Sequence, residues 1–481
     1  MTDSTGESAT SCVIAYPEEI DLLKPFSTMQ TGKGVGSAFF VRCATKDPNL
    51  WVALTCYHVI ANARDVRLVV PKLGSRQISA TVLSVLPDYD LALLTVVLPH
   101  DAREIGLRSL EVGDSDALRA GALVTTYGFP LASKNMKVSE GVYAGISDDG
   151  LLQTTAAISP GNSGGVMVHD GKAIGVVSAK IINVEAANVG FAIPIALYRM
   201  YASSMISNPI VLRPMFGFCV QRLPDALLLC EDNEMVGSAT LCGPERGGVL
   251  VVRVYDNCPL IGLKVGDVIT SFSWNGEKFE VDSYGETRVR WSATKIDCMD
   301  ALERVPLETE VSFHLARHAE VRGIRGSSVR TGLLRRFVIP QQPWVYCCAL
   351  GMCFVPLCAN LTNSRDANVA AAIFRIADED RHKDRVMTSW VLPNSMANEY
   401  TIGAGMIVSR VNDVSVCTIP ELVDALTRPR HGSTIIVEFT NSRVYAVRTD
   451  VALRTETQLL ENKVYTPSAR FMRSLEKKLV R

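Results

Sequence analysis

The chain has 481 residues, enough for about three domains, with 47% hydrophobic and 21% charged residues. That balance supports packed cores and excludes a chain dominated by disorder. A net charge of −1 argues against a broadly basic nucleic-acid or membrane-surface binder.

Residues 1–30 read as an N-terminal segment. It opens MTDSTGESATSC, polar and acidic, with neither the basic nor the apolar stretch of a secretory signal. The expectation is an intracellular protein, cytoplasmic or nuclear, whose 13 cysteines are mostly reduced thiols. Residues 1–11 are expected to be mobile, and Cys12 to Phe26 to pack against a neighbouring subunit or domain. From Thr31 to Cys43 a Gly-rich turn runs into a strand, and Trp51 to Ile60 forms the next, with His58 near its end. Cys43 and Cys56 fall on neighbouring strands, as buried thiols or as a pair under oxidation. DYDLALLTVV then sets Asp90 at the mouth of a strand, with Asp88 two residues upstream on the same side.

More short β segments follow up to Ile195, punctuated by Gly, Pro and Asp turns. They predict a mainly β architecture, a pair of barrels over residues 31–205. Within them lies ISPGNSGG, Ile158 to Gly165. Acyl transfer needs a hydroxyl nucleophile beside backbone N–H groups aimed at a developing oxyanion. Gly161, Gly164 and Gly165 permit the sharp turn and close approach this requires. The motif alone also fits an ordinary Gly-rich turn. Its companions decide: His58, Asp90 and Ser163 follow the order His–Asp–Ser of chymotrypsin-like enzymes, unlike subtilisin or the α/β-hydrolases.

LTCYHVI, DYDLALL, VSEGVYAGI, LQTTAAISPGNSGG and VGFAIPI together resemble the HtrA/Deg serine proteases over most of residues 31–200. The resemblance implies a chymotrypsin-like double barrel with Ser163 as nucleophile, His58 as general base and Asp90 as its orienting carboxylate. It implies an oxyanion hole made by the amides of Gly161 and Ser163. It puts Ala157 at the base of the S1 pocket, and Ile158, Ser178 to Lys180 and Gly190, Phe191 and Ala192 along the subsites. An uncharged pocket implies cleavage after small or medium apolar residues. Cys56-Tyr57 before the histidine and Val166-Met167 after the SGG depart from the family pattern and bear on fine positioning.

Beyond Pro194, ALYRMYASSMIS predicts a helix. Residues 212–318 resemble a PDZ domain of that family, with Phe216, Gly217 and Phe218 as the loop that meets a peptide carboxylate. Asn275-Gly276 is a hairpin-turn signal, and IDCMDALERV is the expected groove helix. Residues 319–343 hold several arginines and read as a linker or edge strands, with a nucleic-acid patch as the alternative. Residues 344–452 trace a second, more divergent PDZ-like unit, whose LGMCFVPL offers a carboxylate loop around Gly351 and whose Thr418 and Glu421 fit a capping box. Residues 453–481 form a C-terminal helical segment ending in an amphipathic helix. The uncharged run from Val338 to Ser364 is broken by Pro340, Pro343, Gly351 and Pro356, so it predicts buried sheet and no membrane span. Cys347, Cys348, Cys353 and Cys358 match no zinc spacing. No metal or small-molecule cofactor is implied.

This arrangement looks like the two-PDZ Deg proteases of plants. It implies an ATP-independent serine endopeptidase for unfolded or damaged polypeptides. It also implies a homo-oligomer, a trimer or a multiple of trimers, without nucleic acid. Two other readings stand beside it: a peptide-binding scaffold or holdase with a latent protease, and a dedicated precursor-processing protease.

Overall fold

The computed structural model describes residues 4–479 apart from 22, 31, 43–49, 62, 179–188, 224–246, 256–257, 318–319, 328–344, 359–360, 363, 365, 378–379, 381–382 and 429–432. Two compact units are present: Met1–Pro17 with Thr31–Thr331, and Glu18–Gln30 with Gly332–Arg481.

In the first unit, helix α1 (Ser4–Ala9) leads into strand β1 (Thr10–Ile20). After β2 (Thr28–Gln30), whose residues fall in the other unit, come β3 (Gly34–Val41), β4 (Leu50–Cys56), β5 (Ala63–Val69), β6 (Gln77–Leu86) and β7 (Leu91–Val97). The order β1-β3-β4-β7-β6-β5 closes on itself, because β1 also pairs β5 from Cys12↔Val69 onward. Closure removes the exposed edges a β-sheet would otherwise carry. For the described part of residues 1–11, from Ser4 on, this corrects the reading of a mobile segment. Thr10 and Ser11 pair with Phe39 and Ala38, and Val13 is fully buried.

The second barrel comprises β8 (Leu123–Gly128), β9 (Lys137–Ile146), β10 (Leu152–Thr154), β11 (Val166–His169), β12 (Lys172–Ser178) and β13 (Gly190–Pro194), closed in the order β10-β13-β12-β11-β8-β9. Strand faces that alternate inward fill each barrel. Phe39, Leu54 and Leu93 are buried in one core, and Val124, Leu152 and Met167 in another. Val166 and Met167, which follow the SGG and depart from the family pattern, are both fully buried in these cores. The single turn α2 (Tyr57–Ile60) and α3 (Ile195–Ser207), the latter as expected from ALYRMYASSMIS, also belong to this double barrel.

A further sheet runs β14 (Phe218–Arg222), β15 (Val249–Val254), β16 (Val268–Trp274), β20 (Glu310–Arg317), β21 (Glu320–Ser327), with β17 (Glu277–Glu280) on β16 and a small β18 (Glu286–Thr287)–β19 (Ile296–Asp297) ladder. Asn275 and Gly276 both take positive φ, 50° and 79°, as a type I′ hairpin demands. Helix α4 (Cys298–Glu303) follows, N-capped by the Asp297 carboxylate. Strand β21 extends this sheet nine residues past the expected boundary at 318. Of the arginines there, Arg325 pairs with Glu310 on the adjacent strand, and Arg330, Arg335 and Arg336 lie outside the described residues.

The second unit holds sheet β22 (Cys347–Ala349), β23 (Met352–Pro356), β24 (Val386–Val391) and sheet β26 (Val414–Ser415), β25 (Val408–Val411), β27 (Thr434–Phe439), β28 (Val444–Arg448). The uncharged stretch therefore does form buried strands, and among the described residues no helix is long and apolar enough to cross a membrane. Helix α5 (Ile419–Leu426) starts with the predicted capping box, Thr418 and Glu421 each bonding the other's backbone. Helices α6 (Thr449–Glu461) and α7 (Ala469–Leu479) end the chain, α6 beginning ahead of the expected boundary at 452. Of the described cysteines, Cys417 is exposed while Cys12, Cys298, Cys347 and Cys353 are buried thiols.

Candidate active site

Strand β4 ends at Cys56, opposite Leu91 at the start of β7. That register sets the turn after β4 beside the residue before β7. Pro87–Tyr89 form one 3-10 turn, and Asp90 caps it in the left-handed region (φ 54°), its N–H bonding the Pro87 carbonyl. Aspartate tolerates this conformation better than most side chains. Asp90 then holds the histidine turn at three points. Its carbonyl accepts the Tyr57 N–H (2.9 Å), Oδ1 accepts the His58 N–H (2.8 Å), and Oδ2 lies 2.6 Å from His58 Nδ1. A carboxylate only accepts, so Nδ1 carries the proton and Nε2 is left with its lone pair for proton transfer. Burial and the Asp90 charge push the Tyr57 hydroxyl up to about 12. Asp88 faces elsewhere: its Oδ2 accepts the Arg213 N–H at 2.9 Å. Of the two carboxylates, Asp90 is the partner of His58.

Ser163 is buried in a loop fixed by backbone bonds. Its carbonyl accepts the Ser37 N–H (2.8 Å), and the Gly164 N–H donates to Val177 (2.8 Å). Gly164 has φ +84°, and a Cβ there would sit 2.0 Å from the Ser37 carbonyl oxygen and 2.3 Å from Thr55 Oγ1, so only glycine fits. The loop thus lies against the end of β4, just before His58. Gly36 completes the contact: a Cβ on it would meet Val59 Cγ1 at 2.5 Å and the Ser163 carbonyl at 3.2 Å. Gly161 (φ +98°) packs on the Phe129 carbonyl, and the Pro160 carbonyl accepts the Leu131 N–H at 2.6 Å.

Ser37 is a site residue that sequence reasoning missed. Its hydroxyl donates to the Gly161 carbonyl (2.8 Å) and accepts the Phe129 N–H (2.9 Å), while its own carbonyl accepts Thr55 Oγ1 (2.7 Å). One serine therefore joins β3, β4, the nucleophile loop and the loop after β8. Nothing in GVGSAFF marks it, because its partners lie up to 124 residues away.

The side chains of Cys56, His58 and Asp90 bring a sulfur, a nitrogen and an oxygen within 4.8 Å of one another. Those atoms are already engaged, since the Cys56 thiol donates to the Val177 carbonyl (3.3 Å) and His58 Nδ1 to Asp90.

A family model described as "Trypsin-like peptidase domain" matches residues 36–176, and one described as "PDZ domain" matches residues 339–468. "Serine protease Do-like HtrA" of Bacillus subtilis is 27% identical over 54% of this chain and 58% of its own length. "Periplasmic serine endoprotease DegP" of Salmonella typhimurium is 30% identical over 46% of this chain and 45% of its own. Over these stretches the chain is similar to serine proteases of the HtrA/Deg type. It spans about half the length of these curated relatives. Among solved structures, "HtrA-type protease AlgW with tripeptide" superposes at a TM-score of 0.50 with 24% identity, covering 68% of this chain and 96% of that one, a likeness of fold.

Of the substrate-pocket positions expected from HtrA/Deg resemblance, one needs correction, Ala192. Ala157 is exposed, with its N–H held by Ser139 Oγ (2.9 Å). Ala192 is fully buried in the second barrel core, facing Gly175, because the inward alternation of β13 puts it there. Ile158 lies against Gly190, where an added Cβ would stand 2.5 Å from its Cδ1. Phe191 pairs with Ser178 and Gln153 along β13. Ala179 and Lys180 lie outside the described residues, as does Cys43. In the β14–β21 sheet of the first unit, Phe216 and Phe218 pack edge-on against Phe313, and Gly217 turns with φ 73°. A cleft of about 970 Å³ is lined by Asp88, Tyr89, Asp90, Arg213, Asp300 and Arg304; it touches the triad carboxylate, while His58 and Ser163 are not among its lining residues.

Proposed function

We propose that the chain is an ATP-independent serine endopeptidase acting on unfolded or damaged polypeptides. The observation that carries this reading is the double grip of Asp90 on His58, through the main-chain N–H and Nδ1, beside a glycine-shaped loop bearing Ser163. Ser163 Oγ attacks the scissile carbonyl, and His58 Nε2 takes its proton and returns it to the leaving amine. Asp90 stabilises the imidazolium. The amides of Gly161 and Ser163 stabilise the oxyanion. Ile158 against Gly190 favours small or medium apolar residues before the cut. The PDZ-type units bind peptide segments or regulate the protease, in a trimer or a multiple of trimers.

A fluorophosphonate probe tests the reading. Wild type labels and Ser163→Ala does not. No labelling of wild type, even with unfolded casein present, favours a scaffold with a latent site. The Leu131 N–H to Pro160 bond is the feature through which such latency would act, since it ties the oxyanion loop to the turn after β8. Degradation of one protein among many unfolded ones favours a processing enzyme. Preference for Arg before the cut in a peptide library overturns the pocket assignment, and native mass tests the trimer.

A further inference from the structure

Glu456 on α6 has no exposed surface. A carboxylate removed from water needs donors. It finds them at the turn between β22 and β23. Its Oε1 accepts the Gly351 N–H (3.3 Å), the Tyr465 hydroxyl lies 3.0 and 3.1 Å from its two oxygens, and the Leu350 N–H bonds it as well. The Gly351 N–H also reaches the Tyr465 oxygen at 2.9 Å. Leu350 and Gly351 both take positive φ, 59° and 74°, and consecutive N–H groups in a tight turn make an anion-binding concavity.

These two amides belong to LGMCFVPL, the stretch with the pattern of a peptide-carboxylate loop. Such a loop receives the end of an extended peptide that adds beside the following strand. Here the following strand is β23. Its Met352 and Phe354 share one core with Leu422 and Leu426 of α5 and with Phe471 and Leu475 of α7. Helix α7 is fastened to α5 by the Ser474 hydroxyl on the Thr427 carbonyl (2.9 Å) and by an Arg470–Asp424 ion pair.

We infer that Glu456 is the resident ligand of a carboxylate site at Leu350–Gly351, so that α6 and α7 close this PDZ-type unit and a peptide carboxylate enters only by replacing Glu456. A peptide terminus offers the same two oxygens to the same donors. An amidated terminus offers one oxygen and an N–H₂ that faces N–H groups, so it does not replace Glu456. Burial pushes the Glu456 carboxyl up to about 7, while the bonds from Tyr465, Leu350 and Gly351 pull it down. The charge is therefore held by these donors and by nothing else described around it. This assignment is independent of proteolysis.

The test is hydrogen exchange read by mass spectrometry on the peptide spanning residues 347–353, in the full chain carrying Ser163→Ala. The Leu350 and Gly351 amides exchange slowly with Glu456 present and at least about tenfold faster in Glu456→Ala. A short apolar peptide with a free C-terminal carboxylate restores protection in that variant, and its amidated form does not. Glu456→Gln keeps the shape should alanine fail to fold, and raises exchange by a smaller factor. Unchanged protection in the folded variants overturns the inference. So does lost protection that no carboxylate peptide restores.

Discussion

The Tyr89 hydroxyl donates to the Glu303 carbonyl at 2.7 Å, and Tyr89 is the residue before Asp90. Glu303 ends α4, which precedes strand β20 in the same unit. Tyr201 reaches the carbonyls of Glu303, Arg304 and Val305, and Arg213 pairs with the Glu303 carboxylate. The turn that aims the histidine's partner is therefore braced by α4, 214 residues along the chain. Burial pushes the Tyr89 hydroxyl well above the usual phenol range, so it stays a donor.

Tyr89→Phe removes that brace with almost no change of shape. The Glu303 carbonyl loses one bond, and stability falls by about 1 kcal/mol. The same variant lowers kcat severalfold with little change in KM, because the His58–Asp90 geometry loosens while substrate contacts stay. Steady-state kinetics on a peptide substrate and a urea melt check both halves. Equal kcat in variant and wild type rejects the brace.

Ser37→Ala leaves the Phe129 N–H and the Gly161 carbonyl without their hydroxyl partner. A buried group so stranded costs about 1–3 kcal/mol. The oxyanion loop shifts, and a displacement near 1 Å lowers kcat by about 10- to 100-fold. Ser37→Thr keeps the hydroxyl and recovers part of the rate. Failure of threonine to recover any rate, with the fold intact, separates hydroxyl bonding from packing.

Gly164→Ala drives a methyl group into the Ser37 carbonyl and holds alanine in the left-handed region. Overpacking and backbone strain together cost roughly 2–5 kcal/mol. The expected outcome is a lower melting temperature and no fluorophosphonate labelling. A variant of wild-type stability contradicts the close approach.

Glu456 predicts a pH effect on the second unit. Its folded value of about 7 exceeds the ordinary value of 4.5, so between them the folded state keeps a proton the unfolded chain has lost. Its stabilising contribution is full below about 4.5 and is lost as pH rises through about 7. Facing it are Tyr465, Tyr445 and Cys347, whose protons burial holds on throughout this window, and Cys348, whose proton is held first by its bond with Cys353 and then by burial. Denaturant midpoints from about pH 5 to about pH 8 decline more steeply in wild type than in Glu456→Gln. Parallel profiles remove Glu456 as the source.

What was legible in the residues follows from who the partners are. His58 and Asp90 could be read because proton transfer restricts the side-chain types, and the pairing of β4 with β7 then brought them together. Thr418 and Glu421 could be read because both halves of a capping box lie within one turn. Strand β1 was missed because Pro17, Glu18 and Glu19 break up the apolar run from Cys12, and its partner β5 lies over 50 residues on. Glu456 sits between Arg454 and Gln458 in a stretch that looks solvent-facing. It turns inward because Ala452, Glu456 and Leu459 share one helical face. Ala157 was placed by family position alone, and its bond to Ser139 was not visible in the order of residues.

The distribution of thiols has a practical consequence. Burial pushes the Cys298 and Cys347 thiols up to about 12 and Cys12 to about 11, so these sulfurs remain protonated and unreactive near neutrality. Cys417 stands in solvent one residue ahead of the capping box of α5. A maleimide dye added briefly to the native protein marks this position ahead of those three, and its emission reports on the helix against which α7 is fastened.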